Sequence, residues 1–351
     1  MKYSVQKSPA SELIQWQSQF GRHTLPWQNT GSAYKTWLSE VMLQQTQVAT
    51  VIDYYHRFLS VFPTVFDLAT APEEQVMTLW QGLGYYSRAR NLHACAQQVV
   101  ERFGGQFPKT VAELESLPGI GRSTAGAIMS LGHQLPAPIL DGNVKRVFCR
   151  LQGVAGYPEQ SAVKKQLWHL AEHWLPVEKA GVYNQALMDL GAQICVPRVP
   201  KCELCPLQSR CVALKEGITH LLPTPKPKKP KVDWFCLAVL AKNARGRILM
   251  ARQTEKELWR GLWMPAFLKL DGPDLEGASQ WLEQLGLTGS LDGLNGQAWV
   301  VHELTHRRLH FKTLVLALPE DYSPVPPYQL VYPEEKPLPR VFMKLRDQVG
   351  V

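Results

Sequence analysis

The chain is poor in cysteine, with seven in 351 residues. It has no apolar run near the roughly 20 residues that a membrane-spanning helix needs, so no span and no membrane partner are expected. Nothing at its start resembles a secretory signal, and a reducing, cytoplasmic setting is expected, one in which disulfides are rare. It also lacks an acidic balance: Lys and Arg number 38 against 30 Asp and Glu, for a net charge of +8 and a pI near 9.1. A basic globular chain suits a polyanion such as nucleic acid, although charge alone does not decide it. The length fits two or three domains, and 45% apolar residues suffice for real cores. A monomer is expected, and protein partners cannot be read.

What cysteine there is clusters. Cys195, Cys202, Cys205 and Cys211 form a C-x6-C-x2-C-x5-C pattern. Four thiolates so close can hold a metal centre. Zinc sites normally use two close pairs separated by a longer loop. Here one close pair has a single outlying thiol on each side, which suits an iron–sulfur cluster. On spacing alone zinc remains open, and two disulfides are the bland alternative.

The clearest boundary is Pro223-Thr-Pro-Lys-Pro-Lys-Lys-Pro-Lys231, where four prolines and four lysines alternate with almost nothing apolar. Such a segment cannot build a core and favours an extended spacer. Before it, apolar residues recur at helical spacing. They predict helices over 34–62, 72–79, 86–103, 111–117, 122–131, 144–152, 161–174 and 180–194, with no comparable β-alternation. After it, strands are predicted over 234–241, 247–251, 298–301, 310–317 and 329–332, with helices over 275–285 and 338–348. The reading is an all-α region followed by an α+β domain.

Leu117-Pro-Gly-Ile-Gly121 stands between two predicted helices. Its glycines let the backbone approach something closely, and the next helix offers unpaired N–H groups suited to a phosphate. Alone, a Pro-Gly turn is more often only a turn. Asp141 follows twenty residues after Gly121, and the four-cysteine loop comes later. Hairpin, aspartate and cysteine loop in this order resemble the helix-hairpin-helix DNA glycosylases of the endonuclease III type. That resemblance implies a 4Fe-4S cluster on the four cysteines. Bifunctional members carry a lysine nucleophile two residues after the hairpin, where this chain has Ser123. A hydroxyl cannot form a Schiff base, so lyase chemistry lacks its central group.

Trp37-Leu-Ser-Glu-Val-Met-Leu-Gln-Gln-Thr-Gln47 is similar to the signature helix of the adenine DNA glycosylase (MutY) family. Leu25-Pro-Trp27, Leu83–Asn91, Leu140–Arg146 and Asn184–Gly191 also resemble that family's blocks. The resemblance implies excision of adenine opposite 8-oxoguanine or guanine in double-stranded DNA, in base excision repair near the nucleoid. Breaking an N-glycosidic bond needs a proton for the leaving base and an anion for the oxocarbenium-like sugar. Glu40 has Trp37, Leu38, Val41, Met42 and Leu43 as helical neighbours, which would raise its pKa and keep it protonated. By resemblance Glu40 protonates adenine N7 and later activates water, Asp141 stabilises the sugar cation, and Asn143 orients Asp141. The bland alternatives are a solvent-facing Glu40 and an Asp141 that only caps the helix near Val144.

The target base must leave the stack. By resemblance Gln45 and Tyr85 insert near the partner purine, while Trp27, Leu43 and Gln185 line the adenine pocket. Gly119, Gly121 and Ser123 would lie on the DNA backbone. A metal-pinned loop would hold Arg198 and Lys201 rigidly for phosphate contact. Leu258–Pro265 resembles the family's MutT-like (Nudix-fold) domain. Glu276 and Glu283 do not make the acidic array of a Nudix hydrolase, so pyrophosphatase activity is not expected. That domain would read 8-oxoguanine through Thr305 and His306. Leu304 stands where the family often carries an aromatic residue. The expected organisation is a glycosylase region over 1–222, a linker over 223–232 and the MutT-like domain over 233–351. Within the first, a six-helix subdomain covers about 29–136, and a 4Fe-4S subdomain covers about 1–28 plus 137–222. The rival readings are an endonuclease III-like pyrimidine glycosylase/lyase and a non-catalytic DNA-binding adaptor.

Overall fold

The computed structural model describes residues 6–227, 230–254, 258–294 and 296–350, and residues 228 and 229 of the expected linker lie outside them. The chain packs as two units. One holds the described residues up to Thr70 with Asn91–Pro227; the other holds Ala71–Arg90 with the residues from 230 on. The Ala71–Arg90 segment thus packs with residues far along the chain, a pairing that no linear boundary expresses.

The first unit is helical. It contains α1 (Ala10–Phe20), α2 (Ala33–Leu43), α3 (Val48–Val61) and α4 (Val65–Thr70). The predicted helix over 34–62 is two helices. Gln44 leaves helical geometry at ψ 111°, and Gln45 turns the chain through a left-handed φ of 59°. Ser32 caps α2 by accepting from Lys35 N–H. Its face of Tyr34, Trp37, Leu38, Val41 and Met42 is buried.

Ala71–Arg90 supplies α5 (Glu73–Leu79) and the start of α6 (Ser87–Phe103). The first unit resumes with α6 and adds α7 (Val111–Glu115), α8 (Arg122–Ala127), α9 (Gly142–Gln152), α10 (Ser161–Trp174), α11 (Ala180–Gln193) and α12 (Val212–Lys215). After Ala127 the backbone widens into a π-helical turn over Ile128–Gly132. Pattern reading missed α1, α4 and α12. Each buries only one to three residues, which gives little periodic signal. One core of this unit joins Leu13 and Trp16 of α1 to Val144, Val147 and Phe148 of α9, Leu167 and Trp174 of α10, and Tyr183, Leu187 and Leu190 of α11. Cys195, Cys205 and Cys211 pack against it.

In the second unit β1 (Val232–Lys242), β2 (Ile248–Arg252), β3 (Trp263–Leu270), β4 (Val300–Glu303), β5 (Arg307–Ala317) and β6 (Gln329–Val331) form one sheet in the order β4-β5-β1-β3-β2-β6. β1 and β5 run parallel, from Val232 opposite Arg307 to Lys242 opposite Ala317, and the other pairs are antiparallel. Central β1 alternates sides. Leu237, Val239 and Ala241 face α13 (Ala278–Gln284), while Cys236, Ala238 and Leu240 join the core with α14 (Arg340–Val349). β3 was not among the predicted strands. Pro265 lies inside it, and an interior proline argues against a strand in a pattern reading.

Candidate active site

Three elements of the first unit bring their sequence-predicted residues to one cavity of about 590 Å³. Helix α2 lines it with Thr36, Ser39, Glu40 and Leu43, a set spaced for a single helix face. Helix α11 adds Gly181, Gln185, Met188 and Ala192 in the same way. The N-terminus of α9 brings Asp141 and Asn143, and Trp27 lines the cavity from the loop before α2. Trp27 is held edge-on to Tyr55, with ring centroids 5.5 Å apart.

Glu40 is not solvent-facing in the ordinary sense, because its remaining exposure opens into this cavity. Burial, and secondarily the charge of Asp141, raise its pKa from 4.5 to about 7. Asp141 caps α9. Its Oδ1 accepts from Val144 N–H at 2.7 Å, and its Oδ2 accepts from the Asn143 amide at 3.2 Å. Burial pushes its pKa up, against these hydrogen bonds and the nearby Arg146, which favour the anion. Capping and an inward-facing carboxyl therefore coexist in one side chain.

Pattern reading missed the groups that hold this site. Asp189, fully buried, accepts from Arg22 N–H at 2.9 Å, Arg22 Nε at 2.7 Å and the Gln185 amide at 2.9 Å. Arg146 donates to Asn143 Oδ1 at 2.8 Å, Gly191 O at 2.6 Å and Cys195 O at 2.7 Å. Arg150, buried, donates to the carbonyls of Val196 and Pro197 at 2.7 and 2.8 Å and to that of Leu222 at 2.8 Å. The available signal was an unexplained charge at core spacing: Asp189 inside Asn184–Gly191, and Arg146 and Arg150 four apart on α9.

Ser123 Oγ accepts from Leu140 N–H at 3.1 Å, so the hydroxyl at the lyase position fastens the segment leading to Asp141. Gly119 takes a φ of 75°, which the tight hairpin turn requires, and Gly121 is the N-cap of α8. Gln45 is exposed on the turn after α2 and is not among the cavity-lining residues. Tyr85 belongs to the second unit. Thr305 and His306 are exposed between β4 and β5, whereas Leu304 packs partly buried against the α14-side core.

All four clustered cysteines line a second, apolar pocket with Arg150, Ile194 and Leu214, and none is in a disulfide. Burial first, and neighbouring thiols second, hold the Cys202 thiol above its ordinary pKa. Cys205 is pushed up to about 12, mainly by burial. Among the described residues no three His, Cys, Asp or Glu are grouped tightly enough for a single ion. Four convergent thiols in an apolar pocket fit a larger iron–sulfur group, which stabilises thiolates that burial otherwise disfavours. Arg198 and Lys201 are exposed on the same loop.

Comparisons with known proteins bear on the family and the fold. Residues 38–173 match the model of the HhH-GPD superfamily base excision DNA repair proteins, and residues 237–348 match a NUDIX domain model. The adenine DNA glycosylase of Buchnera aphidicola subsp. Acyrthosiphon pisum (strain APS) is 35% identical over 95% of both chains. That of Mus musculus is 47% identical over 58% of this chain and 41% of its own length. A thermostable thymine-DNA glycosylase superposes with a TM-score of 0.54 at 30% identity, over 59% of this chain and 95% of that one. An endonuclease III–DNA complex superposes at 0.51 and 24% identity, over 60% and 94%, and shares the fold.

Fold and site together define a helix-hairpin-helix base-excision DNA glycosylase with a Nudix-like C-terminal domain carrying a mixed sheet. The two-domain match along nearly the whole length narrows that class further. The chain belongs to the adenine DNA glycosylase family. Its endonuclease III-like fold is consistent with an iron–sulfur cofactor. No described helix is long and apolar enough to cross a membrane.

Proposed function

We propose that this chain excises adenine paired with 8-oxoguanine or guanine in duplex DNA, as a monofunctional glycosylase. The observation that carries the reading is the pair Glu40 and Asp141 on the wall of one cavity, with Glu40 raised to about 7. A cavity of about 590 Å³ has the size of a small-molecule site and suits a base turned out of the helix.

Protonated Glu40 delivers its proton to adenine N7 as the glycosidic bond breaks. Asp141, anionic and steadied by Asn143 and the α9 N-terminus, stabilises the sugar cation. Glu40, now a carboxylate, takes a proton from the water that attacks the sugar carbon. Trp27, Leu43 and Gln185 surround the base. Gln45 and Tyr85 fill the vacated space, and Gly119 and Gly121 set the hairpin against a phosphate. Thr305 and His306 read the partner purine. Because Ser123 carries no amine, strand cleavage does not follow.

Cys195, Cys202, Cys205 and Cys211 hold a 4Fe-4S cluster, which when bound fixes the loop presenting Arg198 and Lys201 to DNA phosphates. The proposed division is a glycosylase region to residue 222, a linker and a reading domain from 233, acting as a monomer.

The test is a labelled duplex containing A·8-oxoguanine, A·G or a damaged pyrimidine. Breaks in adenine strands only after alkali are expected. Breaks without alkali, or cleavage of only the pyrimidine strand, would point to the glycosylase/lyase; no release at all, with tight binding, would leave an adaptor.

A further inference from the structure

Among the described residues before the linker, only Ala71–Arg90 packs in the second unit, and it carries Tyr85. Its backbone is unusual: Gly82, Gly84 and Tyr85 all adopt positive φ, at 98°, 72° and 47°. A non-glycine residue in that region persists only where surrounding contacts over-determine it. Some of those contacts are local. Arg88, buried, donates to the carbonyls of Leu83 and Gly84, each at 3.1 Å, and Trp80 Nε1 donates to Gly84 O at 3.1 Å.

Others come from the C-terminal domain. The Tyr86 hydroxyl accepts from Gly82 N–H at 3.4 Å and donates to Leu338 O at 3.1 Å, so one oxygen joins the turn to the chain before α14. Leu338 N–H reaches Gln81 Oε1 at 3.5 Å. Glu74 accepts from Trp263 Nε1 at 3.2 Å and Lys336 Nζ at 3.1 Å, and Glu73 accepts from Arg252 at 2.9 Å. Arg90 donates to Arg260 O at 2.5 Å. At Gly261 an added Cβ would lie 3.4 Å from Glu73 and 3.5 Å from Met77, so α5 rests directly on that turn. The Leu258–Pro265 block, which the proposed reading of 8-oxoguanine leaves unused, is thereby accounted for. Together with 336–338 it forms a platform for the segment that presents Tyr85, a residue 49% exposed.

We propose that the C-terminal domain is the scaffold of the Tyr85 loop, with the Tyr86 hydroxyl as the positioning group between them. Its importance for excision rests on the reading of Tyr85 as a residue that inserts into DNA beside Gln45. A domain assigned to recognition of the partner base then also sets the geometry of the inserting residue.

The experiment uses the full chain, as wild type, Tyr86→Phe, Tyr85→Ala and the triple variant Arg252→Ala/Trp263→Phe/Lys336→Ala. The triple variant removes the side chains that hold α5 from the sheet side and touches nothing in the loop. Amide hydrogen exchange over 82–88 is measured in each, with the melting temperature as a control for global loss of structure. Expected is at least ~5-fold faster exchange at those amides in both Tyr86→Phe and the triple variant, with slower single-turnover adenine release in both. Exchange unchanged in the triple variant means the loop organises itself and overturns the proposal, whatever Tyr86→Phe does. Normal release by Tyr85→Ala, with exchange still faster in the other two, overturns the insertion reading and leaves the scaffold standing.

Discussion

A carboxyl that must deliver a proton near neutral pH has to be kept from ionising at its usual value. Glu40 meets that condition through burial, reinforced by the charge of Asp141. Single-turnover adenine release should therefore fall as pH rises above about 7, approaching tenfold per unit, because the proton donor is lost. A flat profile from pH 6 to 9 would remove Glu40 from that role. The same shift acts on stability. The folded state holds the proton more tightly than the unfolded state, whose ordinary value is 4.5, so folding stability declines as pH rises from there through about 7. Glu40→Gln should abolish release, keep duplex binding, and be more stable than wild type at pH 8 by up to roughly 3 kcal/mol. Denaturant melts at pH 4 and pH 8 check the sign: the advantage should shrink at the lower pH. Asp141 invites a separate substitution, since its cap and its charge can be parted. Asn caps a helix as well as Asp does, so Asp141→Asn should hold the melting temperature while release falls at least ~100-fold. Equal losses of stability and rate would reduce Asp141 to a cap.

At the scale of elements, the site depends on how closely α9 and α11 approach. A Cβ at Gly191 would sit 2.6 Å from Asn143 Cβ and 3.1 Å from its Cα, contacts with atoms that cannot swing aside. Gly191→Ala should therefore displace the α9 N-terminus, costing about 1–3 kcal/mol in stability and slowing release at least ~10-fold. Thermal melts and single-turnover assays on the variant decide this, and a variant as active as wild type would mean that α9 tolerates the shift. Local sequence carries part of this site, and tertiary packing supplies the rest. Glu40 and Asp141 stand in short blocks, Trp37–Gln47 and Leu140–Arg146, whose resemblance singled them out, and the four cysteines stand out by their spacing within 17 residues. Gln185 was reached only through the resemblance of its block. Asp189 and Arg146 were not reached. Their partners, Arg22 at 167 residues' separation and Cys195 at 49, become neighbours only through tertiary packing. β3 was lost for a different reason, since Pro265 breaks the local pattern of a strand that burial and pairing on both sides sustain.

The whole molecule adds a relation no local reading could supply, the packing of Ala71–Arg90 with the C-terminal sheet. Charge is the other property that belongs to the molecule as a whole. A net +8 spread along the chain attracts duplex DNA before any base is read, and each phosphate contact releases condensed counterions. Binding of an uncleavable A·8-oxoguanine duplex by Glu40→Gln should therefore weaken steeply and linearly in log salt, whereas the choice among mispairs should not. Arg198 and Lys201 are exposed on the cysteine loop, where two of the proposed phosphate contacts would lie. Replacing both with Ala should lower the slope of log K against log salt by about 1–2 and weaken A·8-oxoguanine and A·G duplexes alike. On the proposed reading, Thr305→Ala would act by readout and not by charge. It should leave the slope alone and narrow the affinity gap between the two duplexes. Titrations at four salt concentrations on both duplexes separate the two effects. If the Arg198/Lys201 variant kept the wild-type slope, the cysteine loop would not touch phosphate, and its carbonyls would serve only to hold Arg146 and Arg150 of α9.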